Sequence, residues 1–216
     1  MTGDRHVRFC ERRGVRLPPA THPVVGFEHR EDAERFRKDL ADRLARFGLS
    51  LNAEKTRLIR FGRFAAQQRR ERGLGRPETF EFLGFTHYCA TTKDGRFAVR
   101  RVTITKRMTA KLRETKVLLM QRRHWPIEAQ GRWLGAVVRG HLAYYSVPGN
   151  IHHVSAFREE VRRLWYRALR RRGQKHRMNW QKMSRHADRW IPSARYTHPW
   201  PNERLDARTR VRSPVR

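Results

Sequence analysis

The sequence predicts an α+β fold, in which a segment with strands and a hairpin is followed by an all-helical bundle. Two observations support this prediction. Strand-like alternation and a tight-turn signal occur before residue 105. From Lys106 onward, apolar residues recur at helical spacing instead. We therefore expect a domain boundary near Thr105.

The first part begins with a strand and a helix. Residues 24–27, VVGF, are typical of a short buried strand. Apolar residues then recur three and four positions apart from Ala33 to Phe47, which predicts an amphipathic helix that ends at Gly48. Alternation around Ile59 predicts a second strand.

A glycine- and arginine-rich loop at residues 69–78 precedes a β-hairpin. Two aromatic-rich strands flank the pair Asp94 and Gly95. This pair supplies the positive φ that a tight hairpin turn requires, so the sequence predicts a hairpin here.

Four helices are predicted after the boundary. They cover residues 106–119, 127–146, 154–172 and 179–190, and Asn179 is placed to cap the last one. The second contains Gly131, Gly135 and Gly140, each of which costs about 1 kcal/mol relative to alanine in a helix. Such glycines predict the close approach of another backbone.

The composition predicts a polyanionic partner. Lys and Arg total 50 against 20 Asp and Glu, a formal net charge of +30, so nucleic acid is the first partner to consider. No apolar run approaches the roughly 18 residues that span a bilayer, and the start has no secretory signal. We therefore expect a cytoplasmic protein with no membrane partner.

The strongest charge signal is a basic run in the third and fourth helices. Charged helix faces usually mix both signs, but no Asp or Glu occurs from Arg162 to Lys182, which predicts a phosphate-binding surface. Trp165, Trp180 and Trp190 lie at core spacing and are expected to pack. The candidate phosphate-binding residues of this run are Arg163, Arg167, Arg170, Arg171, Lys175, Arg177 and Lys182.

Further binding residues are expected on the first two helices of the bundle. Lys106 and Arg113 face away from the apolar stripe of the first helix, and Arg139 lies on the second. His141 and Tyr144, beside the turn VPGN, are expected to be exposed and to recognise RNA shape or unpaired bases.

Four stretches occur in a fixed order along the chain: VVGFEHREDAERFRKDLADRLARFGLSLNAEKTRLIRFG, FEFLGFTHY, WLGAVVRGHLAYYSVPGN and HPWPNERLD. Together they resemble the C-terminal half of group II intron-encoded reverse transcriptase/maturases. The resemblance implies that residues 24–105 are the last part of a polymerase palm. Residues 106–200 would be the thumb and maturase domain, and residues 201–216 a basic C-terminal tail.

The resemblance also implies roles for individual residues. Lys55, in LNAEKT, would approach an incoming nucleotide. The stretch FEFLGF resembles the primer-grip hairpin, which would place Phe82, Leu83 and Gly84 near a primer backbone.

The family's catalytic carboxylates have no counterpart in this chain. Where the family has Tyr-Ala-Asp-Asp-Phe before VVGF, residues 19–23 are Pro-Ala-Thr-His-Pro. Thr21 and His22 cannot replace a carboxylate pair that holds two Mg²⁺. We therefore expect no catalytic residue, no metal site and no cofactor, with Mg²⁺ only if another chain supplies the carboxylates. Residues 1–23 are expected to be a disordered, non-matching leader.

Three hypotheses for function remain open on the sequence. The first is a truncated maturase-like protein that binds structured intron RNA to assist splicing, with DNA left open as a second partner. The second is the distal half of a split RNA-directed DNA polymerase, completed by a complementing reverse-transcriptase fragment. The third is a degenerate mobile-element fragment without function.

Overall fold

The computed structural model describes residues 23–173 and 178–199, together with the backbone of residues 6–9. The chain divides into two compact units, unit 1 with residues 1–100 and unit 2 with residues 101–216. Unit 1 is rich in strands and unit 2 in helices, which confirms the predicted α+β class.

Three short strands form the first sheet of unit 1. They are β1 (His6–Phe9), β2 (Val24–Phe27) and β3 (Arg57–Arg60), in the order β2-β1-β3, and both pairings are antiparallel. No strand was predicted at β1. The local sequence has no strand-like alternation at these residues. The strand is instead held by its pairing with β2 and β3, which come later in the chain.

Helix α1 (Arg30–Ala45) packs its Phe36 ring 5.2 Å from that of Phe27 in β2. Gly48, at φ 67°, ends the helical turn as predicted. Phe47, in contrast, does not belong to the core stripe, because the helix ends before it and its side chain is 70% exposed.

Helix α2 (Ala65–Glu71) was not predicted and includes the first residues of the expected loop. The second sheet contains β4 (Phe80–Phe82), β5 (Phe85–Thr91) and β6 (Phe97–Thr103), in the order β4-β5-β6. Gly95 turns between the last two strands at φ 76°, which confirms the predicted hairpin.

Unit 2 contains α3 (Thr105–Gln121), α4 (Ile127–Tyr145), α5 (Ile151–Arg170) and α6 (Trp180–Trp190). Helix α5 packs against the other three. Its predicted apolar stripe is buried, because Val154, Phe157, Val161, Trp165 and Leu169 are all fully enclosed. Asn179 caps α6 as predicted, since its side chain accepts a 2.9 Å hydrogen bond from the Lys182 N–H.

The glycines of α4 have two different surroundings. A Cβ on Gly131 would meet the Trp190 side chain at 2.5 Å, and one on Gly135 would meet the Trp190 carbonyl oxygen at 2.4 Å. The predicted close approach of a backbone is thus confirmed at Gly135. It is wrong at Gly140, where a Cβ would meet no described atom within 4 Å.

Two buried amides fix the loops between these helices. Asn150 accepts a 2.9 Å hydrogen bond from the Thr103 N–H and donates to the Thr103 hydroxyl and the Tyr145 carbonyl, both at 2.8 Å. Gln130 accepts from the Trp165 indole at 2.8 Å and donates to the last carbonyls of the α3 end. Because both amides are fully buried, these hydrogen bonds are made away from water.

Candidate nucleic-acid interface

The side of α5 opposite the core carries a row of arginines. Burial of Val161, Trp165 and their partners turns the positions in between toward solvent, and Arg163, Arg167 and Arg170 are all exposed. The three lie three and four residues apart, so they share one helix face. We call Arg163, Arg167, Arg170 and the exposed Arg171 the α5 basic face.

The charges of the α5 basic face are not equally available. Arg163 forms an ion pair with Glu160 at 2.7 Å and lies 3.9 Å from Glu159. Among the described residues, no carboxylate forms an ion pair with Arg167, Arg170 or Arg171. The unpaired positive charge therefore lies in the last turns of α5.

Two aromatic rings and two guanidinium groups lie where α5 meets α6. The rings of Tyr166 and Trp180 are edge to face at 5.0 Å. The guanidinium of Arg162 lies 5.4 Å from the Trp180 ring, and that of Arg170 lies 5.7 Å from the Tyr166 ring. Aromatic rings and guanidinium groups are also the groups on which nucleobases stack in RNA-binding proteins.

The expected packing of the three tryptophans is confirmed fully at Trp165 alone. Trp165 is completely buried, Trp190 is partly buried against the core, and Trp180 is 40% exposed. Trp180 is the first residue of α6, so the rest of the helix does not cover it. Arg162, Tyr166 and Arg170 are spaced four residues apart in the sequence, which places them on one face of a helix. This spacing could have predicted that they lie together, but not that Trp180 joins them.

Some basic residues of this region have internal roles. Arg172 donates hydrogen bonds to the carbonyls of Arg123 and Trp125, and burial lowers the pKa of its guanidinium from the ordinary value. Arg122 lies over the rings of Trp133, at 4.5 Å, and Trp125, at 5.1 Å. These arginines hold the loop after α3, so the basic run is not one uniform binding surface.

The remaining basic candidates of unit 2 lie on several helices. Lys106 and Arg113 are exposed on α3, Arg139 is exposed on α4 and Lys182 is exposed on α6. Lys175 and Arg177 lie outside the described residues, as does the predicted tail at residues 201–216.

The predicted exposure of the pair beside the VPGN turn is right for one residue and wrong for the other. Tyr144 is 48% exposed. His141 is only 8% exposed, because its ring stacks on Phe157 at 3.7 Å and packs against Tyr145 at 4.5 Å. Burial, and then the nearby charge of Lys111, lower the pKa of His141 to about 4. His141 is therefore uncharged at neutral pH.

The candidates of unit 1 lie in two turns. Lys55 is partly buried, and its N–H donates a 3.1 Å hydrogen bond to the Asn52 side chain. Leu83 and Gly84 form the turn between β4 and β5, both at positive φ, with Phe82 partly buried beside them. Leu83 is 59% exposed at the tip of this hairpin.

Neither a metal cluster nor a membrane span occurs in the described part of the chain. No group of three or more His, Cys, Asp or Glu side chains is placed there to hold a metal ion. Thr21 and His22 lie outside that part. No described helix combines the length and the apolar character needed to cross a membrane.

A scan against protein families matched none of them to this chain, and a search of curated proteins returned no matching protein.

Proposed function

We propose that this chain is a maturase-like RNA-binding protein that grips structured group II intron RNA and favours its splicing-competent fold. The α5 basic face is the observation that carries the proposal. Arg167, Arg170 and Arg171 are exposed and unpaired among described carboxylates, on a helix whose other side is anchored in the core. Guanidinium groups in a row along a helix suit phosphate oxygens, which each can bind in a bidentate manner.

The charge of the whole chain supports a polyanionic partner. With a net charge of +30, most of the basic side chains cannot be neutralised within the protein. Counterion release from RNA phosphates then supplies much of the binding free energy. The Tyr166 ring, 5.7 Å from the Arg170 guanidinium, and the adjoining Trp180 ring add surfaces on which unpaired bases can stack.

The choice of intron RNA rests on the resemblance in sequence. Charge explains affinity for any RNA, whereas FEFLGFTHY and WLGAVVRGHLAYYSVPGN are the stretches that point to this family. The first forms the β4–β5 hairpin and the second lies in α4 and the turn after it. We infer no polymerase activity for the chain alone, because Thr21 and His22 occupy the positions of the family's metal-binding carboxylates.

The test compares two triple variants of the full chain. Arg163, Arg167 and Arg170 are changed to Gln, which nearly preserves helix propensity. The matched control changes Arg35, Lys38 and Arg43, which are exposed on α1, to Gln and removes the same charge. Affinity for structured RNA is measured as a function of salt concentration.

The α5 variant should reduce the slope of log affinity against log salt by two to three, about one for each phosphate that is no longer bound. The slope would fall by only two if Arg163 stays paired with Glu160 and does not contact a phosphate. Equal effects of the two triple variants would show that only total charge matters and would overturn the assignment of the α5 basic face.

A further inference from the structure

Helices α3 and α4 form a groove whose residues are distinct from the α5 basic face. Its volume is about 400 Å³, within the range of about 300 to 1,000 Å³ that small-ligand sites occupy. Ala136, Val137 and Gly140 of α4 form an apolar lining. The other lining residues are polar or charged, namely Arg107, Lys111, His141 and Tyr145.

Gly140 has no packing role among the described residues. A Cβ at Gly131 or Gly135 would collide with Trp190, but one at Gly140 would enter open space. Glycine in a helix interior costs about 1 kcal/mol relative to alanine. Its effect here is to keep the groove open and the helix backbone accessible.

His141 gives a second, independent indication of a ligand. The residue is only 8% exposed, and its Nε2 atom is enclosed without a hydrogen-bond partner among the described residues. An enclosed polar atom without a partner costs about 1 to 3 kcal/mol, so such atoms in native proteins call for an explanation. Because His141 also lines the groove, a polar group of a ligand that enters it beside the ring is the candidate for this missing partner.

Two cations flank the groove one helical turn apart on α3. The positive charge of Arg107 lies near Tyr145 and opposes the rise that burial causes in the pKa of the Tyr145 phenol. The Lys111 ammonium lies 3.0 Å from both carboxylate oxygens of Glu114, which is itself exposed to solvent. Glu114 offsets part of the Lys111 charge, whereas Arg107 has no ion-pair partner among the described carboxylates. The groove therefore favours an anionic group near Arg107, next to an apolar surface.

We propose that this groove binds one unpaired nucleotide of the RNA. The base would lie on Ala136, Val137 and Gly140, and its phosphate against Arg107 and Lys111. An unpaired base offers an apolar face and a polar edge, whereas a base inside a duplex has both faces covered. The inference rests on the proposed RNA binding and deepens it, because phosphate contacts on the α5 basic face position RNA without reading it.

The test uses the full chain and two RNA hairpins of equal length. One hairpin is fully paired, and the other carries an unpaired 2-aminopurine, whose fluorescence reports its surroundings. Gly140→Leu fills the groove. Ala143→Leu, at an exposed position of the same helix outside the groove, is the matched control. Thermal melting checks the fold, and Gly140→Leu should melt at or above the wild-type temperature because leucine favours the helix.

Wild type and the control should prefer the hairpin with the unpaired base and change its fluorescence. Gly140→Leu should lose about tenfold in affinity for that hairpin, within the contribution of a single base contact, and should keep its affinity for the paired one. An unchanged preference in a folded Gly140→Leu variant would overturn the groove proposal and leave the α5 basic face in place. Binding of neither hairpin by the wild type would instead overturn the proposed function, and this inference with it.

Discussion

Gln130 shows how one polar side chain can organise the helical core of unit 2. Its amide oxygen accepts from the Trp165 indole, and its amide nitrogen donates to the carbonyls of Arg122 and Arg123 at 2.6 and 3.0 Å. Both carbonyls lie just after α3, and each has one further donor, the Trp125 N–H for Arg122 and the Arg172 guanidinium for Arg123. Gln130 therefore joins the loop after α3 to the C-terminal half of α5.

We expect Gln130→Ala to lower the free energy of unfolding by about 2 to 4 kcal/mol. The change leaves a cavity, removes the hydrogen-bond partner of the buried Trp165 indole and removes one of the donors to the Arg122 and Arg123 carbonyls. Chemical denaturation measures the loss, and Gln121→Ala, at an exposed position of α3, should change stability by less than about 0.5 kcal/mol. Similar results for the two variants would contradict this role.

His141 should make the stability of unit 2 depend on pH. Its pKa is about 4 in the folded protein and about 6.5 when unfolded, because burial and the positive charge of Lys111 disfavour the imidazolium. As pH falls through this interval, the unfolded chain binds the proton first and unfolding becomes more favourable. The pH-dependent loss of stability should reach about 2 to 3 kcal/mol near pH 4.

Denaturation at several pH values checks this expectation. His141→Phe keeps a ring that can stack on Phe157 but cannot be protonated, so its stability should fall less than that of the wild type between pH 6.5 and 4. His152→Phe, at an exposed position of α5, controls for the substitution itself. Parallel pH profiles for His141→Phe and wild type would show that the buried imidazole does not titrate as described.

At the scale of elements, the sequence predicted α1 and the four helices of unit 2 because their apolar spacing is local, whereas the short helix α2 was not predicted. The stripe of α5 and the Asn179 cap of α6 were both recognised in the sequence and are observed. Strand β1 was missed, since its pairing with β2 and β3 depends on residues far along the chain. The surroundings of His141 were missed for the same reason, because Phe157, which covers its ring, comes from another helix.

Helix α4 allows a stability test in which one substitution has opposite effects at two positions. Gly135→Ala should lower the free energy of unfolding by more than 1 kcal/mol, because its Cβ would lie 2.4 Å from the Trp190 carbonyl oxygen. Gly140→Ala should raise it by up to about 1 kcal/mol, because the Cβ enters open space and alanine favours the helix. Chemical denaturation measures the free energy of unfolding of both variants. Equal changes in the two would contradict the packing of α6 against α4.

For the whole molecule, charge and recognition are separable properties. A net charge of +30 provides affinity for any polyanion, and this could be predicted from composition alone. Composition could not predict which basic side chains remain available to bind a polyanion. The ion pair of Arg163 with Glu160 and the internal hydrogen bonds of Arg172 form only when the helices fold. The preference for one RNA over another must come from groups that contact unpaired bases or shape.

The most direct test of the maturase proposal is a competition titration between group II intron RNA and a structured control RNA of the same size. It is performed with wild type and with the Gln variant of Arg163, Arg167 and Arg170. The wild type should prefer the intron RNA, and the variant should bind both RNAs more weakly by similar factors, because phosphate contacts carry no sequence information. A wild-type protein that binds both RNAs equally would contradict the proposal that it recognises intron RNA.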